Sequence, residues 1–348
     1  MRKRLIVFLC LGIYVLVMLP KLNMFLNWYG FSIKPSSDSY YTIYKSDSGC
    51  KKLDKDCSII DRDYKNEILK QSDIPGLTIN DLAPIMGPCE IEQFLRNNDG
   101  NPQIYTPTAK NIKKGIYQAN LHTHSTDSDG RLPVSARLDE AQQYAQEHNI
   151  IFYIATTDHN TVNGAKTALK TLKENPNKYK NVKLILGMEI NSIYNLKDNT
   201  KDQVDIHVLT FGINPYNKFL NEEFCKPKTA NAWNRPRKNP EFEDFDNVIK
   251  VMNNYGIVGV AHPARYIVQL EDKKYDYLSE MLQRFKSLTP DDKPLFIEGY
   301  YQSYWNNAQI DLGNEYTKLL DFINNESRKL GIIRDGSLDT HGLTILGK

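Results

Sequence analysis

His122 and His124 stand one residue apart in LHTHSTDSDG (Leu121–Gly130), and Asp127 and Asp129 follow in the same stretch. In an extended backbone residues i and i+2 point to one side, so both imidazoles can converge on a single cation. The chain holds seven histidines, and six lie within or just after short apolar runs, with an Asp, Gly or Pro nearby. IIFYIATTDHN carries Asp158 and His159, VKLILGMEI carries Glu189 and VDIHVLTFG carries His207. IVGVAHPAR holds His262, and GIIRDGSLDTHG holds Asp339 and His341. Imidazole and carboxylate are the ligands expected for zinc, iron or manganese. A lone His-x-His is a weak signal, but six histidines repeating one local pattern point to a metal site rather than to unrelated core residues.

Strand, then ligand, then loop is how a (β/α) barrel builds a site at its C-terminal face. IYQAN (Ile116–Asn120) reads as a first strand that delivers His122 and His124. In LPVSARLDEAQQYAQEHN, Val134, Leu138, Ala141, Ala145 and His148 form one helical stripe, with Pro133 near its start. His148 ends that helix, where a cation suits the dipole, and it is given no catalytic role. IIFYIATT, a helix from about Gly164 to Glu174, VKLILGMEI, VDIHVLTFG and IVGVA follow in turn. A helix over Asp276–Leu288, the strand LFIEGYY, the helix NEYTKLLDFINNESRKLG with Gly331 as its stop, and GIIRD complete the series. The pattern predicts an α/β fold with seven strands.

LHTHSTDSDG, TDHN, GMEI, HVLTFG, AHPAR and DTHG, in that order, resemble the motifs of the PHP (polymerase and histidinol phosphatase) family of metal-dependent phosphoesterases. The likeness is to its stand-alone phosphoesterases, whose first motif also runs into Ser-Asp-Gly, and it covers about Gly115 to Lys348. It implies an irregular seven-stranded (β/α) barrel of PHP type with two or three divalent ions, Mn, Zn or Fe. Residue by residue, it implies that His122, His124, Glu189 and Asp339 hold a first ion. Glu189 would bridge to a second, completed by His207 and His262, while Asp129, His159 and His341 would hold a third. All nine positions carry the expected residue type. One departure stands out: the family commonly ends Gly-Ser-Asp-x-His, whereas GSLDTH places Leu338 between Ser337 and Asp339, so the turn before the ligands must differ. Asp158 is expected to orient a ligand rather than bind metal.

The reaction that such a site implies is phosphate-ester hydrolysis, by a water whose pKa two bridged cations lower. Arg265, three residues beyond His262, is the first choice for a phosphate contact and Arg334 the second. The sequence has no Gly-rich phosphate loop and no nucleophilic Ser or Cys elbow, so a covalent intermediate is not expected. Expected substrates are small phosphomonoesters or phosphodiesters, nucleotides and their breakdown products among them. Two other readings are a hydrolase of a non-phosphate bond and a non-catalytic, metal-holding surface module. The unrelated amidohydrolase barrels usually add a bridging lysine after the His-x-His, and here Glu189 takes that place.

The 348 residues divide into a segment 1–30, a linker and cap 31–114, and the main domain 115–348. Lys and Arg total 44 against 42 Asp and Glu, a net charge of +2, so no stable nucleic-acid partner is expected. MRKR precedes fifteen apolar residues, Leu5–Leu19, and no small-x-small cleavage signal follows. With Lys21 snorkelling and Trp28 and Tyr29 at the interface, this reads as a signal anchor or transmembrane segment that leaves the main domain periplasmic or extracellular. Secretion after cleavage is the alternative. Outside that segment lie Cys50, Cys57, Cys89 and Cys225, an even number that permits two disulfides in an exported protein. Cys50–Cys57 closes the shortest loop. Residues 31–114 read as a spacer and cap beside the barrel, with one amphipathic helix over DRDYKNEILKQSD. An insertion between Ile213 and Asn253 sets Lys226, Lys228, Arg235, Arg237 and Lys238 around Trp233, ahead of an acidic, helical half. It is either a phosphate-gripping loop or a solvated surface.

Overall fold

Strands that are apolar at every position need cover on both faces. IVGVA is buried at all five positions, and the computed structural model, which describes residues 53–195, 203–225, 239–267, 273–301 and 308–342, shows what covers it. Among the described residues four helices come first: α1 (Leu53–Gln71), α2 (Pro88–Asn97), α3 (Pro102–Tyr105) and α4 (Ala109–Lys113). The strands are β1 (Ala119–Asn120), β2 (Phe152–Thr156), β3 (Val182–Asn195), β4 (Gln203–Phe211), β5 (Ile257–Ala261), β6 (Leu295–Tyr301) and β7 (Ile333–Ser337). Between them run α5 (Val134–His148), α6 (Asn163–Glu174), α7 (Phe245–Met252), α8 (Ala264–Ile267), α9 (Lys274–Leu288) and α10 (Ala308–Leu330).

The strands lie side by side in chain order. A parallel bridge between Thr123 and Thr340 brings the end of β1 to the end of β7 and nearly closes a seven-stranded barrel. Every neighbouring pair is parallel except those of β4, which runs antiparallel to both β3 and β5. This reversal brings the first half of β4 to the end of the barrel where the other strands finish, with Asn191 opposite His207.

Two apolar clusters hold the barrel. The outer one packs α5, α6, α7, α9 and α10 against the sheet, through residues such as Leu138, Leu169, Ile249, Leu282 and Leu319. The inner one fills the barrel from below, and residues ahead of Gly115 supply part of it. Ile91, Phe94 and Leu95 of α2 and Tyr105 of α3 meet Ile185, Phe211, Ile257, Phe296 and Ile333 of the strands. Phe211 and Phe296 stack at 4.5 Å between centroids, and each is fully buried, a contribution of about 1.5–3 kcal/mol per ring. The stretch around α2 and α3 therefore plugs the barrel floor, whereas Tyr64, Ile68, Leu82 and Ile85 join the outer cluster; the expectation of a cap standing beside the barrel is corrected for the plug alone.

The same contacts explain other departures from the sequence reading. β1 is shorter than IYQAN because Ile116 N–H donates to Asn111 O and Gln118 N–H to Ile104 O, both in the plug. α1 begins at Leu53, ahead of the expected start at Asp61, and it fastens the floor: Asp61 accepts hydrogen bonds from Cys89 N and Glu90 N, in the first turn of α2. Beside this cap Cys57 and Cys89 form a disulfide, with Cα atoms 5.5 Å apart, which replaces the expected Cys50–Cys57 pairing. α10 ends as expected at Gly331, whose φ of +69° favours glycine. Residues 1–30, Cys50 and the basic loop around Trp233 lie outside the described residues. Among those described, no helix is long and apolar enough to cross a membrane.

Candidate metal centre

The open end of the barrel gathers all nine residues singled out as metal ligands. His122 and His124 follow β1, His159 follows β2, and Glu189 lies in β3. His207 lies in β4, His262 follows β5, and Asp339 and His341 follow β7. Glu189 is at the middle, fully buried, and its two oxygens face different partners. Oε2 lies 3.0 Å from His122 Nε2 and 3.2 Å from both His124 Nε2 and His159 Nδ1. Oε1 lies 2.7 Å from His207 Nδ1 and 3.0 Å from His262 Nε2. Asp339 Oδ1 lies 3.0 Å from His124 Nε2, and Asp129 Oδ2 lies 3.1 Å from His341 Nε2.

Among the described residues, three groups have ligand atoms within 4.8 Å of one another and so could each hold an ion. His122, His124, Glu189 and Asp339 form one, matching the first expected set. His124, Asp129, His159 and His341 form another, the third expected set with His124 added. The remaining group is His159, Glu189 and His207, with His262 beside the same Glu189 oxygen as His207. His122 Nε2, both ring nitrogens of His124, His159 Nδ1 and Glu189 Oε2 are buried and make no hydrogen bond. Lone pairs held this close in a dry site are unfavourable unless a proton or a cation stands between them. The donor set fits divalent cations of the zinc, iron or manganese kind.

Electrostatics point the same way. Burial disfavours the charged form of every group in the cluster. At Glu189 it is outweighed by His122, His159 and His207, which hold the carboxyl well below the usual carboxylate range. Burial likewise opposes, and the imidazoles of His122, His341 and His124 overcome, so that Asp339 is also pulled well down. Burial would depress His122, but Glu189, Glu298 and Asp339 raise it well above an ordinary histidine. His124 is carried against burial to about 10, by the Asp339 and Glu189 carboxylates beside its ring. At His159 burial wins, and its pKa falls to about 3. The carboxylates stay ionised and draw positive charge into a dry space, which is the setting a bound cation needs.

Leu338, the extra residue of GSLDTH, packs into the outer core, and Asp339 then takes a φ of +47°. That left-handed turn carries its carboxylate back towards His122 and His124, so the ligand survives the altered spacing. His262 also has positive φ, +27°, an uncommon conformation for a residue with a side chain and one that clusters at functional sites. At the first motif, Asp158 accepts hydrogen bonds from Ser125 N at 2.7 Å, Ser125 Oγ at 2.9–3.0 Å and Ser128 Oγ at 2.7 Å. It fixes the loop that presents Asp129, as a supporting residue should. A Cβ at Gly130 would lie 2.3 Å from His124 O, so only glycine allows that loop to fold back so closely.

One buried carboxylate at the centre was assigned no role from the sequence. Glu298 of β6 accepts a hydrogen bond from His122 Nδ1 at 2.9 Å, from His262 N at 2.6 Å and from Ser337 Oγ. The Nδ1 proton of His122 is thereby held towards Glu298, leaving Nε2 to face Glu189. Its only mark in the sequence is a charge inside the apolar run LFIEGYY. His207 is oriented by Asn191 instead, whose side-chain Nδ2 donates to its Nε2 at 2.9 Å.

Arg265 reaches the cluster: Nη1 donates to Asp339 Oδ2 at 2.9 Å, and the side chain keeps 28% of its exposure. The expectation for Arg334 is corrected. Strand alternation sends Ile333 into the barrel and Arg334 the other way, and its N, Nε and Nη2 all donate to Asp99, at 2.8, 2.9 and 3.1 Å. His148 stands apart, with its ring 4.6 Å from that of Tyr144. No protein-family model matches the chain, and no curated protein matches it in sequence.

Proposed function

We propose that this barrel is a metal-dependent phosphoesterase of PHP type, with two or three divalent ions at the centre described above. The observation that carries the proposal is the bridging stance of Glu189, one oxygen towards His122, His124 and His159 and the other towards His207 and His262. When bound, such ions lower the pKa of a water and neutralise phosphate oxygens. Glu298 holds His122 in the tautomer that leaves Nε2 for the ion, and Asp158 and Gly130 hold the loop of Asp129. Arg265, half-buried at the rim on Asp339, is the phosphate contact: a guanidinium fork matches two phosphate oxygens. Substrates are small phosphomonoesters or phosphodiesters, nucleotides and their breakdown products included. The Cys57–Cys89 disulfide supports an oxidising compartment, and with the apolar run Leu5–Leu19 it favours a membrane-anchored protein whose barrel is periplasmic or extracellular.

The test is hydrolysis of a generic phosphomonoester and a generic phosphodiester by the full chain with manganese or zinc. Activity that a chelator removes and that His122→Ala lacks is the expected result. Wild-type turnover in His122→Ala would overturn the proposal.

A further inference from the structure

Arg137, on the first turn of α5, is buried and points not to solvent but beneath the two loops that carry most of the ligands. A single nitrogen, Nη2, donates to three backbone carbonyls: His124 O at 3.2 Å, Thr340 O at 3.2 Å and Gly342 O at 2.8 Å. His124 opens the loop of Asp129, while Thr340 and Gly342 flank His341 on either side. Arg137 also lines a cavity of ≈ 10 Å³ that Ser125, Thr156 and Asp158 share, and Asp158 is the residue that fixes the Asp129 loop. Burying a guanidinium is costly unless charge and hydrogen bonds compensate, so its place here calls for a reason.

We infer that Arg137 is the positioning residue for the third ion, tying the loop of Asp129 to the loop of His341 so that their side chains meet. The other two ions have fastenings of their own. His122 is held by Glu298, and Asp339 by Arg265. Glu189, His207 and His262 sit on β3, β4 and the end of β5, whereas Arg137 bonds only to the loops after β1 and β7. The first group also spans the seam between the first and last strands, but its His122 and Asp339 have these side-chain fastenings; Asp129 and His341 meet across the seam through their loops, which the hydrogen bonds from Arg131 N to His341 O and from His124 N to Thr340 O, each 3.0 Å, link by backbone. Those links survive any side-chain change, so removal of the Arg137 guanidinium should weaken the third ion rather than abolish it. The inference rests on the metal reading of the centre but not on hydrolysis.

The test measures metal in the full chain, stripped with chelator and reloaded with Mn²⁺, by elemental analysis and calorimetric titration. Arg137→Met should weaken one ion by about 10- to 100-fold, the range for partners of metal ligands, and leave the others unchanged. Arg137→Lys, which keeps the charge and can still reach a carbonyl, should recover part of that loss. In an Asp129→Asn background, which already weakens the third ion, Arg137→Met should remove nothing further. Unchanged affinity in Arg137→Met, or an additional ion lost in the double variant, would overturn the inference. Should Arg137→Met fail to fold, Arg137→Lys carries the same comparison in both backgrounds. Loss of metal without any wild-type hydrolysis would sink the phosphoesterase proposal and leave this inference standing.

Discussion

Glu298→Gln keeps the shape of the side chain and removes one acceptor. In the native site one carboxylate serves two ring-bearing residues at once, His122 Nδ1 at 2.9 Å and His262 N at 2.6 Å, and it is fully buried. A glutamine has one carbonyl oxygen and one NH2. If its oxygen faces His122, the NH2 meets the His262 backbone N–H, donor against donor. If it turns over, the NH2 faces His122 Nδ1 and forces the proton to Nε2, the atom aimed at Glu189. Either way one of the two supports is lost and a negative charge is removed from beside His122. Removing such a partner typically costs 10- to 100-fold in metal affinity, about 1.4–2.8 kcal/mol. The assay is competition for Zn²⁺ or Mn²⁺ against a fluorescent chelator, comparing wild type, Glu298→Gln and Ser337→Ala. Ser337 donates to the same oxygen that His122 uses, but its loss leaves both histidine contacts in place, so its effect should be clearly smaller. Zinc affinity in Glu298→Gln within twofold of wild type, with unchanged stoichiometry, would refute the assignment.

Three further outcomes follow from the same structure. Cys57→Ser or reduction should destabilise the protein by about 3–4 kcal/mol, from the loop entropy of a bond spanning 32 residues, with metal content unchanged; denaturant melts with and without reductant check it. Arg265→Ala should raise KM for a phosphate ester in steady-state assays, whereas Arg334→Ala should leave KM alone and cost about 1.5–3 kcal/mol in a urea melt, through loss of its two side-chain bonds to Asp99. Lys293, its ammonium bonded to Asn253 O, is lowered by burial to about 8. The folded chain then releases a proton near pH 8 that the unfolded chain keeps to about 10.4, so this residue makes stability rise with pH across that window. Lys293→Met should flatten the rise and stabilise the protein at pH 7, by up to on the order of 3 kcal/mol. Melts of both proteins from pH 7 to 10.5 that run parallel would contradict it.

Much of the centre was legible because metal ligation leaves local marks. His122 and His124 share a side by strand periodicity, and His159, Glu189, His207, His262, Asp339 and His341 lie in or just after apolar runs; Asp129 and the full set of nine were implied by the resemblance to the PHP motifs. The seven strands were legible for a similar reason: runs such as IVGVA and VKLILGMEI need burial on both faces. Everything that depends on a distant partner was not. The reversal of β4 leaves the alternation of VDIHVLTFG untouched, because an extended strand reads the same in either direction. Short spacing favoured Cys50–Cys57, yet it is the docking of α1 on α2 that brings Cys57 to Cys89. Arg334 looked like a phosphate contact until strand parity and Asp99 turned it outward, and the plug helices showed their apolar faces without showing the barrel that needed them. Glu298 and Arg137 are single charges in ordinary strand and helix patterns, and their tasks exist only once His122 and the loop carbonyls stand within 3.2 Å of them. Sequence fixes which atoms can bind a cation and which segments must be buried; the tertiary fold alone decides which buried charge faces which ligand, because that choice is set by contacts between residues far apart in the chain.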